Sequence, residues 1–295
     1  MTPHDASRLS RRPDWGAEHL DLDVYLTRIG LPEASIPDRT ASSRPTLHDL
    51  RTLHRAHLAS IPFDSIDFVL GTPVSLEPAA LVDKLCRRPR GGCCHEHNLL
   101  FALVLERCGL TVERLAARVR LGGRGPRPHT HMLLKTRIGQ EEWLCDVGFG
   151  SDGYLDPLPA RDGAKSHQHG RCFRVRAHDH FRWSIDVEDH RPWARLYEFT
   201  HEPLQPMDIT VAHHFLASHP RSMLRQSLFL QLLRADRWLQ LRGNTVERRT
   251  PSGSAIEQVT SRNLGPVLAE FGIELTEAEL STLADTYDRP RPPAL

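Results

Sequence analysis

Apolar residues along this chain fall into two rhythms, each specifying different elements. Leu47, Leu50, Leu53 and Leu58 recur at helical spacing, and Thr46 with Asp49 supplies the capping-box start of that helix. Asp21 is positioned to cap a shorter helix over Leu22 to Ile29, closed by Gly30, and Ser75 to cap a third with Pro78 in its first turn. The run from Leu99 to Leu105 is continuously apolar, which predicts a buried helix ending near Cys108, with Gly109 as its C-terminal cap. Beyond it the pattern shortens. Arg114 to Arg120, Pro128 to Lys135, Glu141 to Val147, Phe173 to Val175 and Trp183 to Val187 read as strands at hairpin spacing. Further on, Met223 to Leu233 reads as a helix. Gly243-Asn244 reads as a two-residue loop joining strands Trp238 to Arg242 and Thr245 to Arg248. Thr276 to Glu279 opens a last helix, and the tail around Arg289 to Pro293 is expected to be disordered.

These elements predict an α+β protein in three segments. Residues 1–86 form an N-terminal helical bundle, residues 87–195 begin with the apolar helix and continue as a small β-barrel, and residues 196–295 form an α/β lid. No internal repeat is evident. A chain of 295 residues with 39% hydrophobic content can bury a substantial core, about 75% of its unfolded surface at this size.

Charge narrows the function classes. The formal net charge is +1, and no Lys/Arg run is long enough to suggest a nucleic-acid partner. Arg87-Arg88-Pro89-Arg90 reads as a local solvated loop, from which an exposed Arg could meet phosphate. No apolar stretch approaches the ~20 residues that span a bilayer, and Met1 to Gly16 lacks a signal-peptide core, so a cytoplasmic protein is expected. Its six cysteines, Cys86, Cys93, Cys94, Cys108, Cys145 and Cys172, then suggest reduced thiols and no disulfide framework.

The chemistry concentrates at Arg90-Gly91-Gly92-Cys93-Cys94-His95-Glu96-His97-Asn98, directly before the apolar helix. A cysteine in the first turn of a buried helix feels the positive end of the helix dipole, which stabilises its thiolate. Free backbone N–H groups at the same end can bind a developing oxyanion. A base follows in the next hairpin. If Ile138-Gly139 is its two-residue loop, Lys135 faces Glu142, Leu133 faces Leu144 and His131 faces Asp146. A type II or longer loop is equally open, and a one-residue slip would carry Asp146 to the other face. Each residue also has a plain structural explanation: a packed thiol, a half-buried strand histidine, an aspartate opening a turn. Their conjunction points instead to Cys94 as nucleophile, His131 as general base and acid, and Asp146 as the carboxylate that orients the imidazole.

These residues resemble the arylamine N-acetyltransferase family. Its pattern Arg-Gly-Gly-aromatic-Cys-x-Glu-x-Asn is similar to Arg90 through Asn98, which makes Cys94 the nucleophile and not Cys93. Its Thr-His-Met/Leu-Leu-Leu strand is similar to Thr130 to Leu134, and its Asp-Val/Ala-Gly-Phe-Gly to Asp146 through Gly150. Ile61 to Asp64 and Ser218 to Pro220 resemble further family segments, and the likeness runs from about Leu20 to about Thr282. The resemblance implies a cysteine-protease-like Cys-His-Asp arrangement and ping-pong transfer of acetyl from acetyl-CoA to an arylamine, hydrazine or hydroxylamine. It also implies a role in xenobiotic metabolism. It places Thr130, Phe149 and Gly150 near the thioester end of coenzyme A, and Phe63, Val119 and Phe149 around the acyl and amine pocket. Gly150 would allow the pantetheine arm to approach closely.

Three positions depart from the pattern. Cys93 stands where an aromatic is usual, Asp64-Ser65 replaces Glu-Asn, and His213 replaces Asn. The same residue order also fits an amide synthase that releases a polyketide by macrolactam formation, a cysteine hydrolase, or a non-enzymatic drug- or CoA-binding protein. The 18 histidines raise a metal alternative. The pairs His129/His131, His167/His169 and His178/His180 each share a face if extended, but no Cys-x-x-Cys or His-Glu-x-x-His accompanies them. No dedicated metal site is therefore expected, and His167 to Gly170 reads as a solvated loop.

Overall fold

The computed structural model describes residues 13–31, 44–121, 125–189 and 191–287. The expected disordered tail, Arg289 to Pro293, lies outside these residues. The first helices start where their capping residues predict. α1 (Leu22–Arg28) takes the Val24 amide on Asp21, and α2 (Leu47–Ser60) starts with the reciprocal Thr46/Asp49 box. β1 (Phe63–Asp64) and α3 (Ile66–Leu70) follow. α4 (Pro78–Val82) corrects one expectation: Glu77 is its N-cap, and Ser75 Oγ instead accepts from the Glu77 amide. A π-helical turn, Asp83–Arg87, leads to the glycine corner.

α5 (Cys94–Arg107) is buried at every position from Cys94 to Leu105 and ends at Gly109, which holds φ 87°. Such all-round burial makes it the central helix. Its residues Leu99 to Leu105 pack with Leu50, Leu53, Leu81, Leu85, Met132 and Leu134 in the largest apolar cluster.

The strands β2 (Val112–Val119), β3 (His131–Ile138), β4 (Glu141–Cys145), β5 (Leu158–Pro159), β6 (Lys165–Gln168), β7 (Arg171–Ala177), β8 (Trp183–Asp189) and β9 (Arg191–Pro203) form one sheet in the order β5-β4-β3-β2-β9-β8-β7-β6. Residues after β5 bond to β7, with Gly163 N donating to Val175 O and Val175 N to Ala164 O, both at 3.0 Å. These bonds nearly close the sheet into the expected barrel, filled by Leu115, Leu133, Leu144, Phe173, Ile185 and Phe199 among others. β9 runs through position 195, across the expected segment boundary.

Two sequence expectations fail within the barrel. Gly139 (φ 61°) and Gln140 form the β3–β4 loop, so Lys135 pairs with Leu144 and Leu134 with Cys145. The reason is that glycine, not Ile138, takes the turn position needing positive φ. A two-residue shift preserves the face of every side chain, which is why Asp146, one residue past β4, still meets His131. His167 and Gln168 belong to β6, not to a solvated loop; the turn is His169-Gly170, with φ 49° and 74°.

The chain continues through α6 (Pro206–Ser218), α7 (Met223–Gln226), β10 (Phe229–Leu233), β11 (Trp238–Arg242), β12 (Thr245–Thr250), β13 (Gly253–Gln258), α8 (Leu264–Glu270) and α9 (Glu277–Tyr287). The expected helix over Met223 to Leu233 is corrected: only its first four residues are helical. β10 lies between β1 and β11 in a second sheet, and this tertiary pairing decides an apolar run too short to be assigned by period. Among the described residues no helix is long and apolar enough to cross a membrane.

Candidate active site

The glycine corner before α5 is shaped by close approach. A Cβ on Gly91 would lie 2.0 Å from Pro62 O, and one on Gly92 would meet the Glu96 carboxylate at 2.8 Å. Glu96 Oε2 accepts from the Cys93 amide at 2.9 Å, which fixes the start of the helix. Beneath the corner lies a buried ion network. Lys84 bridges Asp67 (2.6 Å) and Glu96 (2.7 Å), while Arg90 bridges Asp67 (2.5 Å) and Glu279 (2.8 Å). Arg90 is 5% exposed, which corrects its reading as part of a solvated loop: its carboxylate partners come from α3 and α9, far away in sequence. Burial pushes the carboxyl of Asp64 up to about 6.

Cys94 opens α5, and its Sγ lies 3.7 Å from Thr130 O. His131 begins β3 and its Nε2 contacts Asp146 Oδ2 at 2.7 Å; both residues are buried. Asp146 Oδ1 accepts from Asn98 Nδ2 at 2.9 Å and from the Gly148 amide at 3.1 Å. Asn98 also donates to Met132 O (2.7 Å) and accepts from the Val147 amide (3.1 Å), so one side chain of α5 ties β3 to the segment after β4. The amide of Asp146 donates to His54 Nε2. His54 Nδ1 faces Leu155 O at 2.8 Å, so Nδ1 carries the proton and Nε2 is the acceptor. Burial lowers His54 to about 4 and keeps it neutral.

A second set of histidines supports the other side of the corner. The Tyr25 hydroxyl lies 3.0 Å from His57 Nδ1, His57 Nε2 lies 2.8 Å from His97 Nδ1, and His97 Nε2 lies 3.1 Å from Pro62 O. The carbonyl at the end accepts only, so every proton in the chain is assigned: Tyr25 donates to His57, His57 to His97, and His97 to Pro62. Burial lowers His57 well below its usual value and His97 to about 4.

Aromatic rings wall the site. Phe149 and Tyr197 lie 5.2 and 5.1 Å from the His131 ring. Phe63, stacked on His97 and edge-on to Phe229, shares an apolar cluster with Phe68, Cys93, Cys94 and Leu216. The place of a Cβ on Gly150 is filled by the Phe63 ring at 2.6 Å, so glycine is what lets that ring approach. Gly148 is equally tight, against the Cys94 backbone. Val119 is more peripheral; it pairs with Tyr197 across β2–β9. The structure thus brings Cys94 together with Thr130 and Phe63, and His131 with Asp146 and Phe149. Sequence reasoning missed His54, Tyr197, Phe229 and Leu216, which come from four separate elements or loops and carry no local signal.

Among the described residues, one group offers three soft or borderline ligand atoms within 4.8 Å of one another: Cys93, His95 and His213. Burial pushes the Cys93 thiol well above its ordinary value, so it is protonated at neutral pH.

The fold is a nearly closed barrel behind a buried helix, with Cys94 at the helix start and the His131–Asp146 pair in the adjoining hairpin. A family model described as N-acetyltransferase matches residues 46–280. The arylamine N-acetyltransferase of Mycolicibacterium smegmatis is 34% identical over 266 residues, covering 87% of this chain and 93% of that protein. The crystal structure of the Nocardia farcinica arylamine N-acetyltransferase superposes with a TM-score of 0.84 at 36% identity, covering 93% of this chain and 98% of that one. The Mycobacterium marinum arylamine N-acetyltransferase solved in complex with CoA gives 0.81 at 29% identity, covering 91% and 98%. The chain belongs to the arylamine N-acetyltransferase family and is an acyltransferase.

Proposed function

We propose that the protein carries an acetyl group from acetyl-CoA, through an acyl-cysteine on Cys94, to an arylamine, hydrazine or hydroxylamine. The observation that supports this most is the 2.7 Å contact between His131 Nε2 and Asp146, set beside a cysteine at the first position of a buried helix. The contact occupies Nε2 and leaves Nδ1 as the nitrogen available for proton transfer. Cys93 is a poor rival, because its burial keeps it a thiol.

In the first step the Cys94 thiolate attacks the thioester carbonyl, the new S–C bond forms, the carbon–sulfur bond to CoA breaks, and the His131 imidazolium returns a proton to the departing thiolate. Exchange of one thioester for another is nearly isoenergetic, so a thiol nucleophile suits it. In the second step the amine attacks acetyl-Cys94: the C–N bond forms, the carbon–sulfur bond to Cys94 breaks and returns its thiolate, and His131 takes the amine proton. Asp146 holds the imidazole orientation and stabilises its cation, and is itself fixed by Asn98 and the Gly148 amide. The helix start offers backbone N–H groups to the oxyanion of each step. Thr130, Phe149 and Gly150 would lie along the thioester, and Phe63, Val119 and Phe149 around the acyl group and amine. Phe63, Phe149, Tyr197 and Leu216 would keep water from the acyl-cysteine. Lys84 and Arg90 are already paired with carboxylates, which favours a neutral acyl group.

The test is kinetic. With acetyl-CoA alone, about one equivalent of CoA should appear in a burst and then little more. Adding an arylamine or hydrazine should raise turnover by orders of magnitude, and initial rates at several fixed amine concentrations should give parallel double-reciprocal lines. Rapid CoA release that amines do not change would replace this reading with a hydrolase.

A further inference from the structure

His95 and His213 meet with their Nδ1 atoms 3.4 Å apart. That separation is long for a hydrogen bond, and the Cys93 thiol is the other side chain that bonds His213 here. The contrast with the fully bonded Tyr25–His57–His97 chain is direct, because His97 sits two residues from His95 on the same helix. Two buried ring nitrogens that face each other without a good hydrogen bond leave room for a shared ligand between them. Cys93 Sγ completes the group, with all three ligand atoms within 4.8 Å and all three residues buried. Two imidazole nitrogens bound tetrahedrally at ~2.05 Å stand about 3.4 Å apart, and a thiolate at ~2.3 Å stands about 3.6 Å from each. The two Nδ1 atoms are therefore already at metal spacing, and Cys93 needs to close by about 1.2 Å at most. Two of the three departures from the family pattern, Cys93 and His213, meet at this point.

We propose that Cys93, His95 and His213 form a binding site for a thiophilic metal ion of the zinc(II) class. Binding forms one metal–sulfur and two metal–nitrogen bonds; Cys93 releases its thiol proton to solvent, and no electron is transferred. Three protein ligands leave the fourth position open. The Cys94 side chain contacts Cys93, so the metal holds the neighbouring nucleophile and stops acyl transfer; this consequence rests on the proposed role of Cys94. The site was invisible in the sequence because His213 is 118 positions from His95 and no metal-binding spacing marks it.

The experiment uses the full chain, reduced with a non-thiol phosphine and freed of metal. Zinc(II) is titrated against a chromophoric chelator, and cobalt(II) reports ligation through its thiolate charge-transfer band. The expected result is one equivalent bound, a higher melting temperature as α5 and α6 become cross-linked, and acyl transfer lost with zinc and restored by chelator. Cys94→Ala should retain one equivalent, whereas Cys93→Ala and His213→Asn should weaken binding at least ~100-fold. His213→Gln serves if the Asn variant melts early. Less than one equivalent bound at a tenfold excess of zinc would overturn the proposal. So would binding lost in Cys94→Ala and kept in Cys93→Ala and His213→Asn, which would put the metal on Cys94, His131 and Asp146. Absence of acyl transfer in the metal-free protein, with metal binding intact, would instead count against the proposed activity.

Discussion

His97 and His95 sit two residues apart on α5 in opposite states. On the His97 side each ring nitrogen of His57 and His97 has a partner, in a chain that runs from Tyr25 to the carbonyl of Pro62. On the His95 side the contact to His213 is long, and the Cys93 thiol is the other side chain that bonds His213. Burial alone does not distinguish the two sides; completeness of hydrogen bonding does. The closed side is scaffold, and it holds Pro62 and therefore Phe63 in place. The open side borders Cys94, where a group must remain free to act.

Acid should have the largest effect, and it acts on both sides, since burial holds His95 low as well. His54 and His97 titrate near 4 when folded and near 6.5 when unfolded, and His57 is also held well below its usual value. Below pH 6.5 the unfolded chain binds more protons, so stability falls as pH falls through the window from 6.5 to 4. At pH 5 His54 and His97 cost about 2 kcal/mol each, about 4 together, and His57 adds to the loss in the same direction. Asp64 acts oppositely, since its folded value of about 6 favours protonation on folding, but it returns only about 1 kcal/mol at pH 5. Even without His57, a net loss of about 3 kcal/mol is a large share of a typical 5–15. Urea melts at pH 7 and pH 5 should show it, and equal stability at both would mean these histidines are not buried neutral.

Asp146→Asn should come next. It removes the charge that stabilises His131 as a cation and brings an amide against Asn98 Nδ2 and the Gly148 amide, both donors. A serine-protease analogue loses ~10⁴ in kcat. A thiolate is intrinsically more reactive, so about 10²- to 10³-fold is expected. Activity within a few-fold of wild type, in a folded variant, would remove Asp146 from the chemistry.

His97→Leu sharpens the contrast. It strips a partner from His57 Nε2–H and from Pro62 O, and should cost about 3 kcal/mol of stability. His213→Asn on the open side should cost about 1 kcal/mol, since it gives up only the long contact to His95 and a bond to the Cys93 thiol. Parallel denaturant melts of the two variants measure the difference, and equal losses would erase it.

How far the sequence revealed this follows the range of each signal. Local signals succeeded: the Asp21 and Thr46 caps, the apolar run of α5 with Gly109, and the Gly243-Asn244 hairpin all lie where the residues predict. The His131–Asp146 contact and the place of Cys94 at a helix start were readable because they follow from one hairpin and one helix-start pattern. The β3–β4 register was misread by two residues, harmlessly, since side-chain faces repeat every two. Long-range partners stayed hidden. Nothing near Arg90 announces Asp67 and Glu279, and nothing near His95 announces His213. β10 looked helical because its pairing with β1, over 160 residues away, is what makes it a strand.

The central claim is that one of two adjacent cysteines is acylated, and a peptide map tests it most directly. The protein is incubated with acetyl-CoA and no amine, quenched in acid and digested, and the Cys93-Cys94 peptide is fragmented. The account predicts a single acetyl group on Cys94, absent in Cys94→Ala and retained in Cys93→Ala. Acetyl found mainly on Cys93, or surviving in Cys94→Ala, would contradict it.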